Sequence, residues 1–323
     1  MKRAIVSSIT LAGGLLVSAS ACSSTAASTG ATPPVSSTSG ASMSPASATS
    51  DLAAGRSEPS SPGATWSGQF SGYGGSSWQR HWGYVAQGSF GQAQLTEVRD
   101  SSAPGNGAVL RVKYGRGSSA NSCSDCANPG GGQFYTKFDN IGRSDLANAD
   151  ALYLRYYVKF PVGFDFGRGG KLPGLFGGPI GHESGGRHGQ AFSSRYMWRD
   201  HPVSGSLRNC SAAVPCSEVY LYSPQSGSGY GADIGGGWNW RADGRWHMVE
   251  QEINRRTGNI AVWYDGIKVL SAPGVLGSAS GIPFSGILFS TFFGGHDTSW
   301  GPNKTEYAYF ADFTVSTGSV RAR

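Results

Sequence analysis

The residues richest in chemistry here are cations and phenols set in alternating or glycine-flanked positions. Lys171 is the only charge within Gly169-Gly-Lys-Leu-Pro-Gly-Leu-Phe-Gly-Gly178. Glycines on both sides let a backbone turn tightly and approach a ligand, so Lys171 could present its ammonium to an acidic partner. The plainer reading is a glycine-rich loop with an exposed lysine. The segment lacks the Gly-Lys-Ser/Thr ending of a phosphate-binding loop. Four other segments alternate with a period of two, the mark of strands with one oily face. Gln133, Tyr135 and Lys137 oppose Phe134 and Phe138; Tyr153, Arg155, Tyr157 and Lys159 oppose Leu152, Leu154, Tyr156, Val158 and Phe160. Ser193, Arg195 and Arg199 oppose Tyr196 and Trp198; Glu218, Tyr220 and Tyr222 oppose Val219 and Leu221. Tyrosines beside Arg and Lys on adjacent strands suit a sugar-binding floor. A merely solvated face is the alternative, since strands favour Tyr in any case.

These strands belong to a β-rich chain. Of 323 residues only 14% are charged, while 50 are Gly and 12% aromatic, which argues against a helical bundle and against disorder throughout. Gly, Pro or Asp-Gly recurs every 8–15 residues, the spacing of an all-β sandwich or barrel. Ile260–Lys268 reads as a hairpin turning at Asp265-Gly266, and Phe284–Phe293 and Tyr307–Val315 as late strands. No long amphipathic helix or internal repeat is visible.

The N-terminal part differs. Residues 1–65 contain no aromatic residue. Lys2 and Arg3, the apolar stretch Ala4–Val17 and Ser18-Ala-Ser-Ala-Cys22 have the layout of a secretory signal over residues 1–21. The cysteine after Ala-Ser-Ala resembles a bacterial lipobox, with Cys22 as the lipidated first residue of the mature chain; Ala19 replaces the usual Leu. Of the 44 residues 22–65, 37 are Ser, Thr, Ala, Gly or Pro, too little apolar bulk to offset ordering entropy, so a disordered tether is expected. The folded domain is then 66–323, lipid-anchored at the extracellular face of a bacterial membrane or secreted, and taken as a monomer.

The net charge of +6 becomes +4 once Lys2 and Arg3 are removed. Dense basic runs are absent, which disfavours nucleic acid and leaves an acidic polymer open. In an exported chain Cys123, Cys126, Cys210 and Cys216 favour two local disulfides, Cys123–Cys126 and Cys210–Cys216, among three possible pairings. The spacing of Cys210 and Cys216 does not suit a zinc knuckle. The six histidines lack a His-Glu-x-x-His pair, and no metal or other cofactor is called for. His182 and His188, in the glycine-rich segment after Lys171, are candidates for the cleft wall, with loop solvation the plainer role.

Taken in order, Gly170-Lys-Leu-Pro-Gly-Leu175, Ser193-Ser-Arg195 with Met197-Trp-Arg199, Glu218-Val-Tyr-Leu-Tyr222 and Phe289-Ser-Thr-Phe-Phe-Gly-Gly295 resemble polysaccharide lyase family 14. These are alginate and glucuronan lyases with a β-jelly-roll fold, and family 20 glucuronan lyases are similar. The resemblance covers about residues 66–317. It implies a sandwich of two antiparallel sheets with a concave cleft that cleaves acidic polysaccharide by β-elimination. The family's lysine falls on Lys171, its Ser-x-Arg pair on Ser193 and Arg195, and its Tyr-x-Tyr pair on Tyr220 and Tyr222. Arg195 suits the uronate carboxylate by its fork of donors, with Gln133 assisting. Lys171, Tyr220 and Tyr222 share the base and acid roles, unassigned between them. Tyr135, Lys137, Arg155, Lys159 and His188 complete the expected substrate contacts. The insertion Asp200–Cys216 lengthens the link between two of these strands and bears on substrate preference.

Two rivals remain at this level. A hydrolase needs two carboxylates flanking the bond. Glu250 and Glu252 are the nearest pair, though ion pairing with Arg255 and Arg256 is their expected use. A non-catalytic carbohydrate-binding surface protein would share fold and groove.

Overall fold

The computed structural model describes residues 65–71, 77–183, 190–201, 210–226 and 229–320. Cys22, the leader, the tether up to residue 64 and His188 lie outside the described residues, while Thr65, expected to end the tether, is the first residue of a strand. Fifteen strands are present among those described: β1 (Thr65–Gly68), β2 (Tyr84–Phe90), β3 (Leu95–Arg99), β4 (Ala108–Tyr114), β5 (Gly132–Lys137), β6 (Ala151–Lys159), β7 (Gly169–Gly177), β8 (Phe192–Arg199), β9 (Cys216–Tyr222), β10 (Ala232–Asn239), β11 (His247–Asn254), β12 (Asn259–Tyr264), β13 (Ile267–Ala272), β14 (Phe284–Phe293) and β15 (Glu306–Ser316). They form two antiparallel sheets. One runs β10-β9-β8-β7-β14-β5-β2; the other runs β13-β12-β11-β6-β15-β4-β3, with β1 also on β15.

Alternation builds the core between the sheets. From the second sheet Leu152, Leu154, Tyr156 and Val158 point inward; from the first come Tyr196, Trp198, Val219, Ile287 and Phe289. Phe134 stacks on Phe289 at 4.6 Å and Tyr156 on Phe313 at 4.7 Å. Two buried indoles find acceptors: Trp198 donates to the Phe166 carbonyl and Trp240 to that of Met197, whereas the Trp238 N–H is buried without a described partner. The Asp265-Gly266 turn is as expected, both residues having positive φ (49° and 80°), the geometry a two-residue hairpin needs.

The glycine-rich segment is not a loop, as its composition suggested, but the central strand β7. Leu172 and Leu175 are both buried in the core although three positions apart, and the register with β8 shifts between them. That shift has the two-against-one count of a bulge and spans Pro173-Gly174, where Pro173 cannot donate to a ladder. Tyr156 crosses from the other sheet and donates to the Pro173 carbonyl at 3.2 Å. Glycine is required here for close approach. A Cβ on Gly174 would lie 1.8 Å from the Ser194 carbonyl oxygen, and one on Gly170 would lie 2.1 Å from the Trp198 indole.

Cys123–Cys126 and Cys210–Cys216 are both bonded, the local pairing expected of an exported chain. Glu250 and Glu252 lie on β11, in the second sheet. Glu250 accepts from Ser319 and from the Val320 N–H. The expected pairing with Arg255 and Arg256 is replaced: Arg255 caps the carbonyls of Ala147, Ala149 and Ser280, and Arg256 faces Asp150.

Candidate active site

The outward face of the β10-to-β2 sheet carries a cleft of about 740 Å³ lined by Gln133, Lys171, Arg195, Arg199, Tyr220 and Tyr222. Strand register brings them together. Lys171 on β7 is level with Met197 on β8, and Met197 with Glu218 on β9; Arg195 is level with Tyr220, and Tyr220 with Asp233 on β10. One wall is the segment 294–297 with Trp300, and another is Ala120–Ser122, beside the Cys123–Cys126 bridge.

Lys171 lies 5.1 Å over the Tyr220 ring and 5.0 Å over Phe292; Arg195 lies 5.6 Å over Tyr222. The Tyr220 and Tyr222 hydroxyls are 3.5 Å apart, and the Gly231 N–H donates to Tyr220 Oη at 3.1 Å. Arg195 is only 2% exposed. It donates through Nη1 to Ser290 Oγ at 3.1 Å, while its Nε is buried with no hydrogen-bond partner among the described residues. Neither Lys171 nor Arg195 has a described carboxylate within ion-pairing distance. Arg199 differs, holding Glu218 at 2.8 Å and Asp233 at 3.2 Å.

Burial pulls the Lys171 ammonium well below the usual lysine range, and the positive charges of Arg195 and Arg199 pull it further. Burial pushes the Tyr220 phenol up, and its hydrogen bond to Tyr222 adds to this. Glu218 is pushed up to about 7 by burial, with Arg199 opposing and Asp233 reinforcing the rise.

The other expected residues fall elsewhere. Ser193 is buried, its hydroxyl donating to the Glu183 carbonyl at 2.7 Å. Tyr135 is buried with Phe176 and Leu288 and donates to Glu183 Oε1 at 2.5 Å. Gln133 lines the cleft, but its amide donates to the Gly88 carbonyl and to Tyr135 Oη, which uses both N–H bonds expected to serve a substrate. Lys137 lines a separate hollow of about 380 Å³ with Gln87 and Asp139. Arg155 and Lys159 are corrections: β6 belongs to the other sheet, and its outward face looks away from the cleft. Arg155 pairs there with Asp312 at 2.8 Å, and Lys159 pairs with Asp100. Alternation tells which residues share a face but not to which sheet the strand belongs. Sequence reasoning also passed over Arg199, although it shares the face of Arg195, and Glu218, on the face of the two tyrosines. Asp233 and Glu183 carried no local signal, and Ser290 stood within the Phe289–Gly295 motif without being singled out.

Two stacked antiparallel sheets with a cleft of buried and half-buried cations and paired tyrosines define a jelly-roll polysaccharide lyase. The profile of the polysaccharide lyase 14 family matches residues 102–313, and the chain belongs to that family. It is similar to the alginate lyase of this family from Aplysia kurodai, at 26% identity and a TM-score of 0.55 over 73% of this chain and 90% of that one. The fold is shared with a mutant of alginate lyase Aly36B in complex with an alginate tetrasaccharide, at 20% identity and a TM-score of 0.50 over 71% of this chain and 85% of that one. No curated protein matches the sequence.

Proposed function

We propose that this lyase cleaves a uronate polymer of the alginate type by β-elimination. The observation that carries the reading is that Lys171 and the buried Arg195 line one cleft, and neither has a described carboxylate within ion-pairing distance. Burying a cation costs free energy unless an anion joins it, and a uronate carboxylate is such an anion. Arg195, which lines the cleft, receives that carboxylate and stabilises the enolate that develops there. Lys171, its proton affinity lowered, takes the C5 proton as the neutral amine. The C5–H electron pair becomes the C4–C5 double bond as the C4–O bond breaks. Tyr222 gives its proton to the leaving oxygen. Tyr220, kept protonated and held by the Gly231 N–H, supports Tyr222 from behind.

The test is ultraviolet absorbance of unsaturated uronate ends when the folded part meets alginate or glucuronan. Wild type should give the rise, and K171A and Y222F should lose it; reducing ends without absorbance would refute elimination. Export belongs to the same reading. Lys2, Arg3, the apolar stretch and the Ala-Ser-Ala-Cys22 junction support processing at Cys22 with lipid attachment and an outward-facing enzyme. Replacing Cys22 by Ser should move the protein from the membrane fraction to the medium.

A further inference from the structure

The Arg195 guanidinium is the start of a chain of hydrogen bonds that runs under the cleft. Arg195 Nη1 on β8 donates to Ser290 Oγ on β14 at 3.1 Å, and Ser290 Oγ donates to Gln133 Oε1 on β5 at 2.8 Å. Gln133 Nε2 donates to Tyr135 Oη at 3.2 Å, and Tyr135 donates to Glu183 Oε1 at 2.5 Å. Every link points the same way, from a cation to an anion. The direction is fixed at Gln133: its Nε2 also donates to the Gly88 carbonyl at 2.9 Å, and a flipped amide would set two carbonyl oxygens against each other. Burial and the Glu183 charge both raise the Tyr135 phenol, so the shared proton stays on the phenol.

The far end is equally well held. Glu183 is 1% exposed; its Oε2 accepts from the Gly181 N–H at 2.6 Å, and its carbonyl accepts from Ser193 Oγ. Ser193 and Arg195 both lie on β8, so the chain leaves that strand at Arg195 and returns to it at Ser193. Aligned hydrogen bonds in a dry interior polarise one another, and a distant carboxylate can thus act on the guanidinium.

We infer that Glu183 is a positioning residue: a buried counter-charge that, through Tyr135, Gln133 and Ser290, fixes the Arg195 guanidinium at the cleft. The catalytic consequence rests on the proposed role of Arg195 in β-elimination; the positioning of Arg195 does not. This assignment gives Ser193 a task as the anchor of Glu183, and it turns Gln133 and Tyr135 from substrate contacts into links of the relay.

Y135F and E183Q cut the relay without changing side-chain volume, and thermal melting checks that each folds. Side-chain NMR of 15N-arginine protein, with R195K identifying the Arg195 signals, reads positioning directly. Both variants should speed solvent exchange and rotation of the Arg195 guanidinium; unchanged Arg195 signals in folded variants would overturn the inference, whatever the activity. In the absorbance assay each should lower kcat about tenfold with KM within about twofold. In an R195K background Y135F should cost less than about twofold, because both changes act through one group. An undiminished loss there would overturn the relay as the route to Arg195. Absence of product from wild type would instead refute the elimination reading and leave the NMR result to decide the relay.

Discussion

Lys171 sits where its proton is weakly held, beside two guanidiniums and away from any described carboxylate partner. An amine base works only after losing that proton, so the rate should rise with pH through the lowered Lys171 value. Added to E218Q, which leaves no carboxylate there to take up a proton, R199Q removes one neighbouring positive charge and so strengthens proton binding at Lys171. The rising limb of kcat against pH should therefore move to higher pH from E218Q to the double variant; a limb that stays in place would exclude Lys171 as the base. Y222F should lower kcat by about 10²- to 10⁴-fold, the usual worth of a positioned acid, while sparing polymer binding. Glu218 makes a separate stability prediction. The folded chain keeps this proton up to about pH 7, whereas the unfolded chain releases it near the ordinary value of 4.5. Between those values the native state holds the extra proton, so this contribution to stability falls as pH rises and levels off above about 7. Subtracting E218Q melting curves from wild type should reveal that slope, and parallel curves would refute it. The lysine, the arginine and the tyrosine pair were all legible from face-sharing and motif order. Glu183 and Ser290 were not, because their partners are brought in from distant strands.

At the scale of the element, the four alternating segments became β5, β6, β8 and β9 with ends within a residue or two of those expected. Period-two patterning survives because each strand buries one face. Strand β7 was misread for an equally physical reason. Glycine usually marks a turn, but here Gly170 and Gly174 are absences of side chain that let Trp198 and the β8 backbone close in. G174A places a methyl against the Ser194 carbonyl and should cost about 1–3 kcal/mol as the bulge is pushed apart. Because that bulge follows Lys171 directly, the variant should also lose activity at temperatures where it remains folded. Full activity with lowered stability would separate the bulge from the aim of Lys171.

Across the whole molecule, the two sheets divide the labour: one outward face carries the cleft, and the other carries ion pairs and rings. Composition and turn spacing made the sandwich legible, yet neither could say that β6 pairs with β11 and β15 rather than with β5 or β8. That pairing links strands about a hundred residues and more apart in the chain. R155A removes a half-buried partner of Asp312 and should lower stability by about 1–3 kcal/mol, with KM for the polymer unchanged. A raised KM would return this face to substrate binding. The crowding along β7 also bears on how such an enzyme can diversify. Positions 170 and 174 admit no larger residue without parting neighbouring strands, so the floor under the sugar is closed to mutational drift. New polymer preferences must then arise at the rim, where Ala120–Ser122 and Trp300 meet solvent and a change of side chain disturbs no ladder.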